Sequence, residues 1–238
     1  MRRPVTIVGE LGAAGTVIDA RGLGAAVVDV QFATTEGQQP EQVSLRGLTL
    51  TGGSGRLISE KGTSFGGALA ISGPVEVELE GCALWRNGQI THTARGGALY
   101  VAPGSALRMS RCLLAGNEAE LTGGVAYLDG ARVSLRDCTV VANRCVPRIG
   151  LPCGIALDNG CKVEVEGALL WDNLGQPFAV LPQARETELV VRRSGVQGGW
   201  EGSGVLDMEP AFRDPADSDW RLAPEVAPEL SGLGALRE

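Results

Sequence analysis

Four segments of this chain repeat one pattern, and this repeat limits the possible folds more than any other feature. Each copy opens on small residues, usually Gly-Gly, and closes on an apolar stretch that ends in Asn. The copies lie at residues 66–87, 96–117, 123–143 and 153–173, with weaker copies at 43–53 and 189–199. A period of roughly 26 to 34 residues predicts a solenoid in which each turn buries its apolar face against the next.

Aligning the six copies produces apolar columns that lie two residues apart, which is the period of a β-strand with one buried face. A glycine between the second and third columns marks a bend. The columns are Val43, Val77, Leu107, Val133, Val163 and Leu189; Leu45, Leu79, Met109, Leu135, Val165 and Val191; Leu48, Cys82, Cys112, Cys138, Ala168 and Ser194; and Leu50, Leu84, Leu114, Val140, Leu170 and Val196.

The polar columns between them test the alignment, because charge was not used to build it. In-register stacking places Arg46 beside Glu80, Glu78 beside Arg108, and Glu166 between Arg136 and Arg192. No like charges are neighbours in these columns. Opposite charges on adjacent strands stabilise pairing by about 0.2–1 kcal/mol, whereas like charges destabilise it.

These patterns predict an all-β chain that folds as one right-handed parallel β-helix. Its parts are N-terminal turns at 1–42, which include an incomplete cap, regular repeats at 43–199, and a capping segment at 200–238. Helical periodicity, the Leu and Asn spacing of leucine-rich repeats and the longer blades of a propeller are missing. The recurring asparagines are predicted to stack as a hydrogen-bonded ladder at a turn; they are Asn87, Asn117, Asn143 and Asn173.

Charge and hydropathy exclude some partners. The net charge of −7 argues against nucleic acid, because phosphate binding requires a basic surface. No apolar run approaches the 18 or so residues of a membrane span. The first residues do not read as a signal peptide, and an apparent strand begins at Val5. We therefore expect that a signal and cap were removed or truncated, or that a protein partner covers this end.

The cysteines divide into two groups. Cys82, Cys112 and Cys138 share an inward column and are predicted to be buried free thiols. Cys145 and Cys153 bracket a short loop, and a disulfide between them is a hypothesis that goes with export. No metal site is expected from the cysteine spacing, and His92 in a loop is expected to be solvated.

Two acidic residues and four aromatic residues are the candidates for a functional site. Asp129 and Asp158 fall in or near one column on adjacent turns, so they could bind calcium or act as acid and base, or they could simply end strands. No other cofactor is expected.

Tyr100 and Tyr127 share a second column, and Trp85 and Trp171 share a third. Outward rings could stack on sugars, whereas inward rings would be core. The phase of the tyrosine strand stays open, since both of its faces are apolar.

The repeat, with Gly-Gly-Ala-Leu followed by an apolar stretch and Asn, resembles the repeats of bacterial polymorphic outer-membrane proteins. The whole chain is similar to the pectate-lyase-like superfamily of β-helices. The tail resembles the closing segment of bacterial secreted β-helix proteins with C-terminal surface anchors, in particular at Met208-Glu209-Pro210-Ala211-Phe212 and at Asp219-Trp220-Arg221-Leu222. These resemblances imply export to the cell surface and no single activity.

The expected function is a non-catalytic exported scaffold or adhesin-like surface protein that contacts polysaccharide or cell-surface glycan. One alternative is a polysaccharide lyase or glycoside hydrolase of the β-helix type, although the acidic calcium ligands and Gly-His-Gly segment of such enzymes are missing. Another alternative is a structural domain of a larger assembly.

Overall fold

The computed structural model describes residues 4–33, 39–57, 62–89, 94–146 and 153–235. It forms a parallel β-helix, in which three long sheets run side by side along one axis and enclose a common core. The predicted all-β, single-domain fold class is confirmed. Among the described residues, no helix has the length and apolarity that crossing a membrane requires.

Sheet 1 has eight strands, each paired in parallel with the next. They are Val5–Val8, Glu41–Arg46, Val75–Glu80, Ala106–Ser110, Arg132–Arg136, Lys162–Glu166, Glu188–Arg192 and Gly202–Ser203. Sheet 2 follows each of these strands after a tight bend. Its strands are Val17–Asp19, Thr49–Thr51, Ala83–Trp85, Leu113–Ala115, Thr139–Val141, Leu169–Trp171 and Gly195–Val196.

Sheet 3 completes each turn with Val28–Gln31, Leu69–Ser72, Leu99–Val101, Ala126–Asp129, Ile155–Asp158 and Phe178–Val180. The minor elements are a short helix and three small sheets. These are the helix Gly12–Gly15; the strands Gly88–Gln89, Glu118–Ala119 and Arg144–Cys145; the strands Arg56–Leu57, Ser64–Phe65 and Ala94–Arg95; and the hairpin Phe212–Asp214 with Asp219–Leu222.

The predicted columns are the core of sheets 1 and 2. Val43, Val77 and Leu107 pair with one another in register, and the pairing continues unbroken to Leu189. The column that begins at Leu50 is at most 1% exposed throughout. Full burial of a side chain of this size stabilises the folded chain by about 1.5–3 kcal/mol, so the stacked columns are the main source of its stability.

From the second turn onward, the bend between sheets 1 and 2 places one residue of each of six consecutive turns in the left-handed region, with φ of 61° at Gly47 and 58° at Gly81. Arg111, Asp137 and Arg193 adopt the same conformation at the equivalent positions, with φ between 44° and 51°. Glycine is therefore favoured at this position but is not obligatory.

The second glycine of the Gly-Gly motif is needed because adjacent turns approach each other closely there. A Cβ on Gly97 would lie 2.3 Å from the carbonyl oxygen of Gly124 and 2.7 Å from that of Glu118. Its neighbour Gly96 has a φ of 69°. The motif thus supplies one left-handed residue and one residue without a side chain at the entry to sheet 3.

The predicted charge pairing follows the register of sheet 1, although some arginines reach a neighbouring acid instead of the residue opposite. Arg46 lies 3.5 Å from Glu80 and Arg136 lies 3.2 Å from Glu166. Arg108 is opposite Glu78 but contacts Glu76 at 3.0 Å. Exposed pairs of this kind contribute about 0.2–1 kcal/mol each, so they favour the register more than they stabilise the fold.

The predicted asparagine ladder is present and is buried inside the turn after sheet 2. The side-chain amide of Asn87 donates to Oδ1 of Asn117 at 3.1 Å, Asn117 donates to Asn143 at 2.9 Å, and Asn143 donates to Asn173 at 2.8 Å. Each Oδ1 also accepts the backbone N–H of the preceding asparagine. The ladder therefore satisfies the polar groups of a turn that water cannot reach.

The C-terminal segment has two parts. Trp200 packs edge-on against Phe178, with ring centroids 5.1 Å apart, at the end of the core. The remainder returns along the outer face of sheet 2, where the N–H of Ala235 donates to Oγ1 of Thr139 at 3.0 Å and Leu230 is fully buried. This returning stretch, residues 210–235, is called the tail below.

Removing one asparagine from the middle of the ladder should destabilise the helix. Asn117→Ala deletes four hydrogen bonds and leaves buried amide groups of Asn87 without a partner, so the free energy of unfolding should fall by about 2–3 kcal/mol. Urea denaturation followed by circular dichroism measures this free energy of unfolding. Asn173→Ala at the half-buried end of the ladder is the control and should have a smaller effect; equal losses would argue against a cooperative ladder.

The structure joins Cys145 and Cys153 in a disulfide and leaves Cys82, Cys112, Cys138 and Cys161 as buried free thiols. Thiol titration of protein unfolded without reductant should therefore count four thiols, and six after reduction. Six thiols in the unreduced protein would contradict the disulfide.

Candidate functional site

The outer face of sheet 3 brings four of the predicted residues together. Tyr100 is paired with Tyr127 and Asp129 with Asp158 on adjacent turns. The inward positions of the same strands are taken by Leu99, Val101 and their equivalents. The tyrosines thus point away from the core of the helix.

One detail of the alignment was wrong here. The Gly-Gly motif suggests that Ala126 is aligned with Ala156, but the structure pairs Ala126 with Ile155 and Tyr127 with Ala156. Both faces of this strand are apolar, so hydrophobic periodicity could not distinguish the two registers.

Although they point outward, the tyrosines are covered by a second layer. The small sheet of Arg56–Leu57, Ser64–Phe65 and Ala94–Arg95 contacts this face through Phe65, whose ring centroid is 4.8 Å from Tyr100 and 5.8 Å from Tyr127. Tyr100 is only 7% exposed and Tyr127 only 4%. The rings therefore form a small outer core with Ala70, Ala102 and Ala156 instead of a flat platform for sugars.

Asp158 is the centre of a buried hydrogen-bond network in this layer. Its carboxylate accepts the hydroxyl of Tyr127 at 2.6 Å, the side-chain amide of Gln183 at 3.1 Å and the backbone N–H of Asn159 at 2.9 Å. Arg95 donates to the Tyr127 oxygen at 3.2 Å and lies over the same ring. Three donors from the protein itself therefore satisfy the hydrogen-bonding needs of this buried carboxylate.

The remaining charges of this face are also paired. Asp129 accepts the side-chain amide of Asn159 at 2.7 Å, so Asn159 holds it beside Asp158. Asp29 forms an ion pair with Arg56 at 2.7 Å, and the same guanidinium lies over the ring of Tyr100. Both carboxylates of the predicted site thus carry a structural hydrogen bond at the end of a strand.

The protonation of the tyrosines fits a structural role. Burial raises the pKa of Tyr127 far above its usual value, and its hydrogen bond to Asp158 raises it further. Burial also raises the pKa of Tyr100, with the charge of Asp129 adding to the effect. Both phenols stay protonated at neutral pH, which suits donors and is the opposite of what a general base needs.

The tryptophan candidates lie on the outer face of sheet 2. Trp85 and Trp171 share the predicted column, separated by Ala115 and Val141, which are buried. Both indoles are half-buried. Trp85 lines an open groove of about 740 Å³ between the turns after sheet 2 and the hairpin of the tail, whereas Trp171 is not among the residues that line it.

A second indole completes this groove, which we call the Trp85–Trp220 groove. Trp220, held edge-on against Phe212 at 5.4 Å, faces the groove from the hairpin. Four charged side chains line it between the indoles. They are Arg86, Glu118, Arg144 and Asp172.

None of these four charged side chains forms an ion pair or a side-chain hydrogen bond within the described residues. The guanidinium of Arg86 lies 4.5 Å from the centre of the Trp85 ring, and Glu118 and Arg144 are neighbours in register on adjacent strands. The groove thus differs from sheet 1, where the arginines and glutamates are largely paired with one another.

Sequence reasoning missed the residues that give both places their character. Arg56, Phe65 and Arg95 come from irregular stretches between the repeats, and Trp220 was noted only as part of the tail. Phe65 and Arg95 directly precede the Gly-Gly motif on adjacent turns and pair in register, so extending the alignment by one position would have placed them together. Arg56 and Trp220 lie outside the aligned copies and have no such signal. His92 lies outside the described residues.

Within the described ranges, no group of three or more His, Cys, Asp or Glu side chains is arranged to hold a metal ion. Comparison with known protein families, curated proteins and solved structures finds no match for this chain.

Removing the Tyr127 hydroxyl should reveal the pH dependence of this network. Tyr127→Phe deprives buried Asp158 of a donor and should lower the free energy of unfolding by about 1–3 kcal/mol at neutral pH. An unfolded tyrosine titrates near 10 and the folded one higher, so the contribution of the neutral phenol is complete below pH 10 and is lost as the pH rises through the folded value. The difference between wild type and variant should therefore narrow above about pH 10.

Denaturant titrations from pH 7 to pH 11 measure this difference. Tyr100→Phe is the matched control, because the Tyr100 hydroxyl has no hydrogen bond within the described residues and its loss should cost less at neutral pH. A difference for Tyr127→Phe that is independent of pH, or that grows above pH 10, would contradict this assignment.

Proposed function

We propose that this chain is a non-catalytic β-helix scaffold, exported to the cell surface, that binds polysaccharide on its outer faces in the manner of an adhesin. The observation that carries the proposal is the state of the predicted acid–base pair. Asp158 is only 4% exposed and accepts hydrogen bonds from Tyr127 and Gln183, while the half-buried Asp129 accepts one from Asn159. An acid–base pair needs both carboxyl groups within reach of the substrate, and Asp158 is covered.

Export is supported by the disulfide. Cys145 and Cys153, eight positions apart in the sequence, are joined, and such bonds persist in oxidising compartments. The resemblance of the repeats to bacterial polymorphic outer-membrane proteins, and of the tail to surface-anchored β-helix proteins, agrees with this location. Membership of the pectate-lyase-like superfamily is part of the same proposal.

A polysaccharide lyase or glycoside hydrolase is the alternative function. It is favoured by one feature, the arrival of two tyrosines, two aspartates and Arg95 on a single face, where Nε of Arg95 is buried without a hydrogen-bond partner within the described residues. The raised pKa of Tyr127 and the hydrogen bonds that occupy the buried Asp158 oppose it.

A domain of a larger assembly is a third possibility, favoured by the first turn. Val8 is 56% exposed, Leu11 76% and Leu23 73%, and such a surface suits a protein partner.

A screen of neutral and acidic polysaccharides, with and without calcium, separates these functions. We expect the polymer to retain the protein in a pull-down and no new reducing ends to appear. Reducing ends that track the purified protein and disappear in Asp158→Asn, with Asp129→Asn as its partner variant, would establish the enzyme and overturn the proposal. Circular dichroism of both variants is needed, because Asp158 also supports the fold.

A further inference from the structure

We propose that the Trp85–Trp220 groove is the polysaccharide-binding site and that it takes a neutral, hydroxyl-rich chain lying along the helix axis. This inference rests on the polysaccharide binding proposed above. It adds the position of the site, the class of polymer and the direction in which the polymer lies.

Two indoles line the groove and offer flat surfaces to a sugar. Trp85 comes from a strand of sheet 2 and Trp220 from the hairpin of the tail, and both line the same groove. A flat ring gives a sugar a large contact area for little loss of conformational entropy. The tyrosines of sheet 3 cannot do this, because Phe65 covers both of them.

The indole of Trp85 lies across the next turn of the helix. A Cβ on Gly116 would be 3.8 Å from Cδ1 and Nε1 of this ring. Gly116 has a φ of 62°, and Arg86, Ala142 and Asp172 share this conformation with φ between 51° and 54°, so glycine is not required there. The indole lies at ordinary van der Waals distance from this position. The ring is therefore held along the surface of the helix and does not project freely into solvent.

Four charged side chains that form no ion pair within the described residues line the groove. Vicinal sugar hydroxyls both donate and accept, so carboxylates and guanidinium groups side by side match them. The groove offers two of each, and they are free of ion pairs within the described residues. Because the two signs balance, and because the whole chain carries −7, the groove does not favour a polyanion such as a polyuronate.

The groove runs parallel to the helix axis. Arg86, Gly116, Ala142 and Asp172 occupy the position after the outward column of sheet 2 on four consecutive turns. Three inter-strand spacings of about 4.8 Å give a row about 14 Å long. A polymer that lies parallel to the axis would meet the same kind of position once per turn.

Binding measurements with defined polymers test this site. Amylopectin, galactomannan and xyloglucan serve as neutral probes, and polygalacturonate and alginate as acidic ones, each in affinity electrophoresis at low and high salt. We expect a neutral polymer to bind with little salt dependence. Trp85→Ala and Trp220→Ala should each weaken that binding about tenfold or more, as buried aromatic contacts do.

Two controls keep the test sharp. Trp171→Ala removes an indole from the same outward column but outside the groove, and it should change affinity less than twofold. The double variant Glu118→Gln, Arg144→Gln removes two charges of the groove but keeps the apolar packing, so it should weaken binding. This variant still tests the site if Trp220→Ala prevents the hairpin from folding. Circular dichroism identifies unfolded variants.

The outcomes distinguish this inference from the proposed function. Binding of a neutral polymer that survives Trp85→Ala and the charge variant would refute this site and leave polysaccharide binding intact. Salt-dependent binding of uronates alone would refute the neutral class. No binding of any polymer by the wild type would overturn both the site and the polysaccharide binding on which it rests.

Discussion

Every feature of this molecule depends on the in-register stacking of parallel strands. Each turn must place its residues directly over the equivalent residues of the turn before, because a shift by one position would move every core side chain to the solvent face. Leucine over leucine, cysteine over cysteine and asparagine over asparagine all follow from this requirement. The asparagine ladder is the strictest case, since its amide-to-amide bonds form only when the asparagines of adjacent turns are at the same height.

The same stacking brings the two acidic residues of the predicted site together, and the second layer then changes what surrounds them. Asp129 and Asp158 are neighbours because their strands are in register, and neighbouring carboxylates on a β-helix face could form an active site. The covering layer changes their environment. Once Phe65 and Arg95 close over the tyrosines, Asp158 needs donors, and the donors it finds are protein groups. Burial therefore converts an arrangement that resembles a catalytic site into one that holds a cover in place.

The extent to which the sequence predicts this structure differs between the sheets for a physical reason. In sheet 1, apolar and polar positions alternate, so its columns and its charge pairing follow from the period of two. The core column of sheet 2 was found from the repeat, because its outward positions are also largely apolar. In sheet 3, both faces of Tyr127's strand are apolar, one toward the core and one toward the cover, and the periodic signal vanishes there. Two failures follow from this loss of signal. The alignment matched Ala126 to Ala156 where the structure pairs it with Ile155, and the side of the sheet to which the tyrosines point could not be predicted.

The candidate site was even less predictable, because it lies where the repeat meets a part of the chain that does not repeat. Trp85 was identified because it shares an outward column with Trp171, but its partner Trp220 belongs to a tail whose position no periodicity specifies. The charges show the same division. On sheet 1, arginine and glutamate neutralise each other from turn to turn and are used by the fold, as with Arg136 and Glu166. In the groove, four charged side chains have no ion pair within the described residues even though Glu118 and Arg144 are neighbours in register, so these charges remain available for a ligand.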